Sequence, residues 1–369
     1  MFASALPDKR KVLRDRKIRV LVVDDSVVIR RLVTHALSAE EGIEVVSAAS
    51  NGAIALQRIS QFTPDVVTLD IEMPELDGLE TLRRIRRSHP ELPVIMFSTL
   101  TERGAAITLE ALTLGASDYV TKAANAGSLD NSMISLRSEL VPKLKQFFYS
   151  GSDARPVSPP PTVPSTQAPV IVKPGQRSSS VRPQVVVIGT STGGPNALAA
   201  LLPMFPKDFR IPILIVQHMP PVFTRFLAER LNSISAIRVE EVSNGTRLES
   251  GKALVAAGGF HMRLHREGSG VVATTDQEPP ENSCRPAVDV LFRSAADVYG
   301  PAVMAIMLTG MGNDGLRGTE ILHRKGAYVI AQDEDSSVVW GMPGCIANAG
   351  LAHATLDLSR IVPEILAHT

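Results

Sequence analysis

The stretch from Gly151 to Pro183 holds eight prolines and six serines, no leucine and no aromatic residue, with Asp153 as its only acid. Such a segment cannot bury enough apolar surface to offset the entropy of ordering it, so it reads as an extended linker. Its one sticky triplet, Val170-Ile171-Val172, either docks on a domain or does nothing. A chain of 369 residues already exceeds what one hydrophobic core usually supports. The linker, bounded at 146–183, therefore separates a basic tail (1–17) and a first unit (18–145) from a second unit (184–369). Apolar residues at 44% against 21% charged give both units material for a core.

Formal charge is zero, with 38 basic residues against 38 acidic, so no global field draws the chain to nucleic acid or anionic lipid. Lys9, Arg10, Lys11, Arg14, Arg16 and Lys17, set against Asp8 and Asp15, read as a solvated tail rather than a binding arm. No apolar run approaches the roughly 20 residues that span a bilayer, and the N-terminus lacks the apolar core of a signal peptide. Cys284 and Cys345 form no Cys-x-x-Cys and have no nearby His pair in sequence, which argues against a disulfide framework or a zinc site. The expectation is a cytoplasmic monomer with no nucleic-acid partner and no membrane insertion.

In the first unit, short apolar runs alternate with helical patterns: Arg19 to Val23, Val45 to Ala48, Val66 to Leu69, Val94 to Phe97 and Tyr119 to Val120, closed by a helix from Ser128 to Phe147. Parallel neighbours need a crossover helix, so this pattern predicts βα units on a parallel sheet. The second unit repeats the pattern with Val185 to Ile188, Ile213 to Val216, Ala253 to Ala257, Val303 to Leu308 and Tyr328 to Ala331. Helical candidates lie at Asn196 to Leu202, Thr224 to Leu231, Val288 to Tyr299 and Leu316 to Arg324. The predicted fold class is α/β, two doubly wound parallel-sheet domains, the first flavodoxin-like and the second Rossmann-like.

Asp24 and Asp25 follow the first predicted strand and Asp70 the third, so these carboxylates should share the carboxyl edge of one sheet, where open α/β sheets bind ligands. Crowded acids repel one another unless a hard cation neutralises them, and Mg²⁺ suits oxygen ligands. Ser98 and Lys122 add a hydroxyl and a cation to the rim, completing the parts that hold a phosphoryl group on a carboxylate. The plain alternative is that Asp24-Asp25 opens a turn and caps the next helix.

Over nearly all of 18–145 the sequence resembles the response-regulator receiver family. Val22-Val23-Asp24-Asp25-Ser26, Leu69-Asp70-Ile71-Glu72-Met73-Pro74 with Asp77-Gly78, Ser98, and Asp118-Tyr119-Val120-Thr121-Lys122 carry the likeness. The resemblance implies that Asp70 is the phosphoacceptor and that Asp25, Asp70 and the Glu72 carbonyl ligate Mg²⁺ with help from Asp24. It also implies that Ser98 senses the phosphoryl group, that Lys122 pairs with it, and that Tyr119 reorients on activation.

In the second unit, Gly189-Thr190-Ser191-Thr192-Gly193-Gly194 follows a β-branched run and precedes a helix, matching the Gly-x-Ser-x-Gly spacing that exposes a nucleophilic serine. A dinucleotide loop is the rival. Against it, Ser191 replaces the glycine that must admit pyrophosphate, and the second strand ends in Gln217-His218 rather than in the acid that binds ribose. His218 stands at that strand's end, whereas His261, His265, His323 and His353 read as ordinary surface or core histidines. Asp314, in Leu308-Thr309-Gly310-Met311-Gly312-Asn313-Asp314-Gly315, follows another strand, with a helix N-cap as its plain alternative. Ser191, His218 and Asp314 can converge in one crevice as nucleophile, base and orienting acid, and hydrolysis by such a set needs no metal. The backbone amides around Thr192 and Met311 are the oxyanion candidates. The chain order Ser, His, Asp is not that of the α/β-hydrolases.

Ser191-Thr192-Gly193-Gly194, Gln217-His218-Met219-Pro220, Cys284 to Phe292 and Thr309 to Gly315 are together similar to the catalytic domain of the chemotaxis protein-glutamate methylesterase family, over 184–365. The resemblance implies hydrolysis of glutamyl γ-methyl esters, and deamidation of glutamines, on the cytoplasmic helices of chemoreceptors. It further implies phosphorylation of Asp70 by a receptor-coupled histidine kinase, with the unphosphorylated receiver obstructing the Ser191 crevice. Another function class is a phosphorylation-controlled binding module without catalysis, which gives no reason for Ser, His and Asp at three strand ends. A DNA-binding output lacks a basic recognition helix.

Overall fold

The computed structural model describes residues 16–122, 129–148 and 181–369; the tail up to residue 15, most of the linker and its Val170-Ile171-Val172 triplet lie outside the described residues. The first unit runs β1 (Ile18–Val23), α1 (Val27–Ser38), β2 (Ile43–Ala49), α2 (Gly52–Phe62), β3 (Val66–Asp70), α3 (Gly78–Ser88), β4 (Val94–Ser98), α4 (Glu102–Thr113), β5 (Asp118–Thr121) and α5 (Leu129–Lys145). The strands pair in parallel in the order β2-β1-β3-β4-β5, which reverses direction between β1 and β3. Ser26, Asn51, Asp77 and Thr101 start α1 to α4 by accepting a backbone N–H, each worth about 1 kcal/mol. The cap of α1 is thus Ser26. Asp24 only turns the chain, one oxygen accepting from the Ser26 N–H at 2.9 Å, so capping does not account for Asp24-Asp25.

The second unit runs β6 (Val185–Thr190), α6 (Gly194–Leu201), β7 (Ile213–Gln217), α7 (Phe223–Ile234), β8 (Arg238–Glu241), β9 (Thr246–Arg247), β10 (Lys252–Val255), β11 (His261–Glu267) and β12 (Gly270–Asp276). It continues through α8 (Val288–Tyr299), β13 (Val303–Met307), α9 (Leu316–Arg324), β14 (Tyr328–Gln332), α10 (Met342–Asn348), β15 (Ala354–Leu356) and α11 (Leu358–His368). Seven strands form a wholly parallel sheet ordered β15-β14-β13-β6-β7-β10-β8. The central strands are buried throughout and mostly apolar because helices cover both faces. A separate antiparallel sheet, β11-β12-β9, stands beside this one and was not expected from the sequence.

The two units share apolar contacts. Helix α4 lies against α6 and α7, with Leu109 and Leu112 in the same buried cluster as Leu198, Phe223 and Leu227. Polar bonds frame them: Asn196 Nδ2–H donates to the Leu112 carbonyl at 2.8 Å, Arg230 to the Leu109 carbonyl at 2.7 Å, and Arg225 pairs with Glu102.

Candidate active site

At the first unit's switch point, Asp24 and Asp25 follow β1 and Asp70 ends β3, bringing oxygens of the three side chains within 4.8 Å of one another. Lys122, just after β5, reaches Asp70 Oδ1 at 2.8 Å and Asp24 Oδ2 at 3.0 Å. Burial pushes the Asp70 carboxyl up to about 6, against the pull of Lys122, and the Asp24 charge adds to the rise. Asp24 Oδ2 is buried without a hydrogen bond in good geometry. One lysine is too little positive charge for this cluster, and an all-oxygen set with an exposed member, Asp25, fits a hard divalent cation. Glu72 lines the same hollow, and its backbone N–H bonds the Asp70 carboxylate. Ser98 is buried but turned away. Its hydroxyl donates to the carbonyls of Thr99 and Gly104 and accepts from Thr108, while Thr99 takes its place in the hollow. Tyr119 points to the opposite side and stacks on Phe223 of α7, centroids 5.0 Å apart and planes at 6°.

In the seven-stranded sheet, β7, β6 and β13 are neighbours, so His218, Ser191 and Asp314 emerge side by side at their carboxyl ends. All three line one cavity of about 310 Å³. Ser191 sits on a tight turn into α6: its N–H donates to the Thr309 carbonyl at 3.1 Å, and its own carbonyl accepts from the Gly194 N–H at 2.9 Å. Two glycines are needed there. Gly193 takes φ +78°, and a Cβ on Gly310 would lie 2.9 Å from the Ser191 Cβ. The N–H groups of Thr192 and Met311 meet no acceptor among the described residues.

Asp314 is held by donors from elsewhere in the fold. Its Oδ2 accepts from the Val288 N–H at 2.6 Å and lies 2.8 Å from His218 Nε2. Its Oδ1 accepts from Asn282 Nδ2 at 2.8 Å, the Asp289 N–H at 3.1 Å and the Gly315 N–H at 3.0 Å. The carboxylate therefore sits on the first turn of α8, whose macrodipole favours an anion, rather than on the side-chain cap of α9 that the plain reading supposed. Burial works against its charge, but His218 and then these N–H groups hold it below the usual carboxylate range. Burial likewise opposes the imidazolium of His218, yet Asp314 and then Cys284 outweigh it and raise its pKa. With Nε2 committed to Asp314, Nδ1 is the nitrogen left for proton transfer, and Cys284 Sγ stands 3.6 Å from it. No hydrogen bond joins Ser191 Oγ to His218, so the crevice is shared but the nucleophile–base bond is not closed.

Several contributors were not expected in this cavity: Asn282 and Cys284 on the loop before α8, and the residues of the first unit that wall it. Asp118 Oδ2 accepts from the Thr192 hydroxyl at 2.8 Å, and Leu112, Tyr119, Glu139 and Lys143 close the mouth. Cys284 lies in a quoted motif, and only its partner 66 positions away gives it meaning.

The CheB methylesterase family model matches residues 186–365, and the response regulator receiver domain model matches 20–133. The protein-glutamate methylesterase/protein-glutamine glutaminase of Trichodesmium erythraeum (strain IMS101) is 51% identical over 350 residues, covering 95% of this chain and 98% of its own. That of Nocardioides sp. (strain ATCC BAA-499 / JS614) is 49% identical over 352 residues, covering 95% and 94%. The solved CheB methylesterase catalytic domain of Thermotoga maritima superposes with a TM-score of 0.50 at 39% identity, covering 51% of this chain and all of that one. With relatives this similar matched from receiver to esterase, the chain belongs to the family of protein-glutamate methylesterases/protein-glutamine glutaminases.

Proposed function

We propose that this chain is a phosphorylation-regulated serine hydrolase that demethylates glutamyl γ-methyl esters, and deamidates glutamines, on the cytoplasmic helices of chemoreceptors. The observation that carries the reading is His218, with Nε2 fixed by a buried, five-donor Asp314 and Nδ1 left in the cavity that Ser191 lines. The Ser191 hydroxyl attacks the ester carbonyl while His218 Nδ1 takes its proton, and Asp314 stabilises the resulting imidazolium. The N–H groups of Thr192 and Met311 receive the tetrahedral oxyanion, each worth about 2.7–4 kcal/mol. His218 returns the proton to methoxide, methanol leaves, and water attacks the acyl-serine by the same route to release glutamate. Amide hydrolysis differs only in its leaving group. A binding module without catalysis is not favoured, since it has no use for an oriented base in the same cavity as a serine on a tight turn.

For regulation, Asp70 receives phosphoryl from a receptor-coupled histidine kinase in the cytoplasm. Asp24, Asp25 and Asp70 with the Glu72 backbone would hold Mg²⁺, whose charge offsets that of the phosphoryl group. Strand β5 supports a relay: Lys122 at its end bonds Asp70, while Asp118 and Tyr119 at its start hold Thr192 and Phe223. Added charge at Asp70 that recruits Ser98 and Lys122 shifts this strand and loosens the cover. One chain contains every group the reaction uses, which supports a monomer. The test is methanol release from methylated receptor membranes: the intact chain should release it and Ser191→Ala should not. Release by Ser191→Ala would refute the assignment.

A further inference from the structure

We propose that His218 and Cys284 form a binding site for a soft divalent cation, Zn²⁺ above all, which holds the esterase inactive when bound. His218 Nδ1 and Cys284 Sγ are 3.6 Å apart. Two ligands on one tetrahedral zinc, with bonds of about 2.0 and 2.3 Å, stand roughly 3.6 Å from each other. The pair is thus spaced for one ion without rearrangement. Ligand atoms of His218, Cys284 and Asp314 lie within 4.8 Å of one another, but Asp314 is saturated by its N–H donors. It serves as the outer carboxylate that orients the ring through Nε2, the usual partner of a metal-bound histidine. The spacing of the cysteines argued against zinc because it compared them with each other and with histidines nearby in sequence. The fold supplies His218 from the end of β7 instead.

The thiol is presented rather than incidental. Backbone bonds between Glu281 and Cys284 in both directions, at 2.8 and 3.1 Å, close the loop that carries it. Glu281 is anchored to Arg293 by two bonds of 2.6 Å. Cys284 lines the cavity that Ser191 shares, leaving room for the solvent ligands of the ion. Binding releases the thiol proton and the Nδ1 proton of the imidazolium to solvent and forms an S–Zn and an N–Zn bond, with no change of oxidation state. It removes the nitrogen that must take the Ser191 proton, a consequence that rests on the proposed function; the binding itself does not. Thiolate with imidazole selects against Mg²⁺, so the two ends of the molecule sort metals by ligand softness.

The test uses the full chain with excess Mg²⁺ to fill the receiver cluster. Titration with Co²⁺ should give thiolate-to-cobalt charge-transfer absorption that saturates at one equivalent and is displaced by Zn²⁺. Cys345→Ser should keep the band, while Cys284→Ser and His218→Ala should lose it. In parallel, zinc at buffered free concentrations should slow methanol release, measured against each variant's own metal-free rate. The half-inhibitory concentration should rise at least tenfold in Cys284→Ser. Absence of the band, its survival in Cys284→Ser, or equal zinc sensitivity in both proteins would overturn the proposal. A Cys284-dependent band in a protein that releases no methanol under any condition would uphold the site and refute the proposed function.

Discussion

At the receiver's switch point three carboxylates face a single lysine, whereas at the esterase's switch point one buried carboxylate is surrounded by donors. Both stand at the carboxyl ends of parallel strands, so topology alone does not separate them. Charge balance does. The receiver cluster is short of positive charge, and Asp70 is pushed upward; the esterase carboxylate is oversupplied with N–H groups, and Asp314 is pushed downward. The first is built to change state when charge arrives. The second is fixed before substrate enters, as electrostatic preorganisation requires.

The largest consequence concerns Asp314. Asp314→Asn should cost about 10⁴-fold in turnover, since the neutral amide no longer fixes the His218 tautomer. A thermal melt alongside it separates this from unfolding, and a loss below tenfold would deny Asp314 its role. The raised pKa of His218 has a kinetic sign. The base works only when neutral, so the rising limb of methanol release against pH should have its midpoint above the ordinary 6.5. A midpoint below that value would break the contrast between the two sites.

A smaller effect tests the cover. Asp118→Ala removes the acceptor of the Thr192 hydroxyl and should raise the unstimulated rate roughly three- to tenfold, the worth of about 1 kcal/mol for one net hydrogen bond. An unchanged rate would mean that the contact does not restrain the esterase. The last effect is on stability. Asp70 ionises near 6 in the fold against 3.8 ordinarily, so the native state binds its proton more tightly. Stability then falls as pH rises through that window, by on the order of 3 kcal/mol. Mg²⁺ should restore it, raising the receiver's melting temperature at pH 8 and leaving it unchanged at pH 4. Equal shifts at both values would contradict the account.

The central parallel strands were legible because each carries a continuous apolar run, whereas the edge strands β8, Arg-Val-Glu-Glu, and β15, three residues long, carry none and were not expected; α8 and α9 begin and end where their periodicity does. The β11-β12 hairpin escaped although Met262 and Leu264 alternate with Arg263 and His265, the period of a half-buried strand. Seven residues embedded in a βα pattern give that period little weight. Ser191, His218 and Asp314 line one cavity because a parallel sheet collects its carboxyl ends on one edge, while Ser98 at the end of β4 turns away from the hollow that Asp70 and Lys122 line. What the sequence did not offer was the side-chain state: Ser98 turned to Gly104, Cys284 rather than Ser191 beside Nδ1, and Asp118 bonded across the domains. Each depends on a partner that only folding brings near, and Asn196 or Leu112 alone reads as an ordinary helix residue.

Control of Ser191 by Asp70 is the central claim, and methanol release with and without a small-molecule phosphodonor tests it most directly. The intact chain should speed up when the phosphodonor and Mg²⁺ are added, and Asp70→Asn should keep the unstimulated rate without responding. Equal stimulation of both proteins would contradict the account.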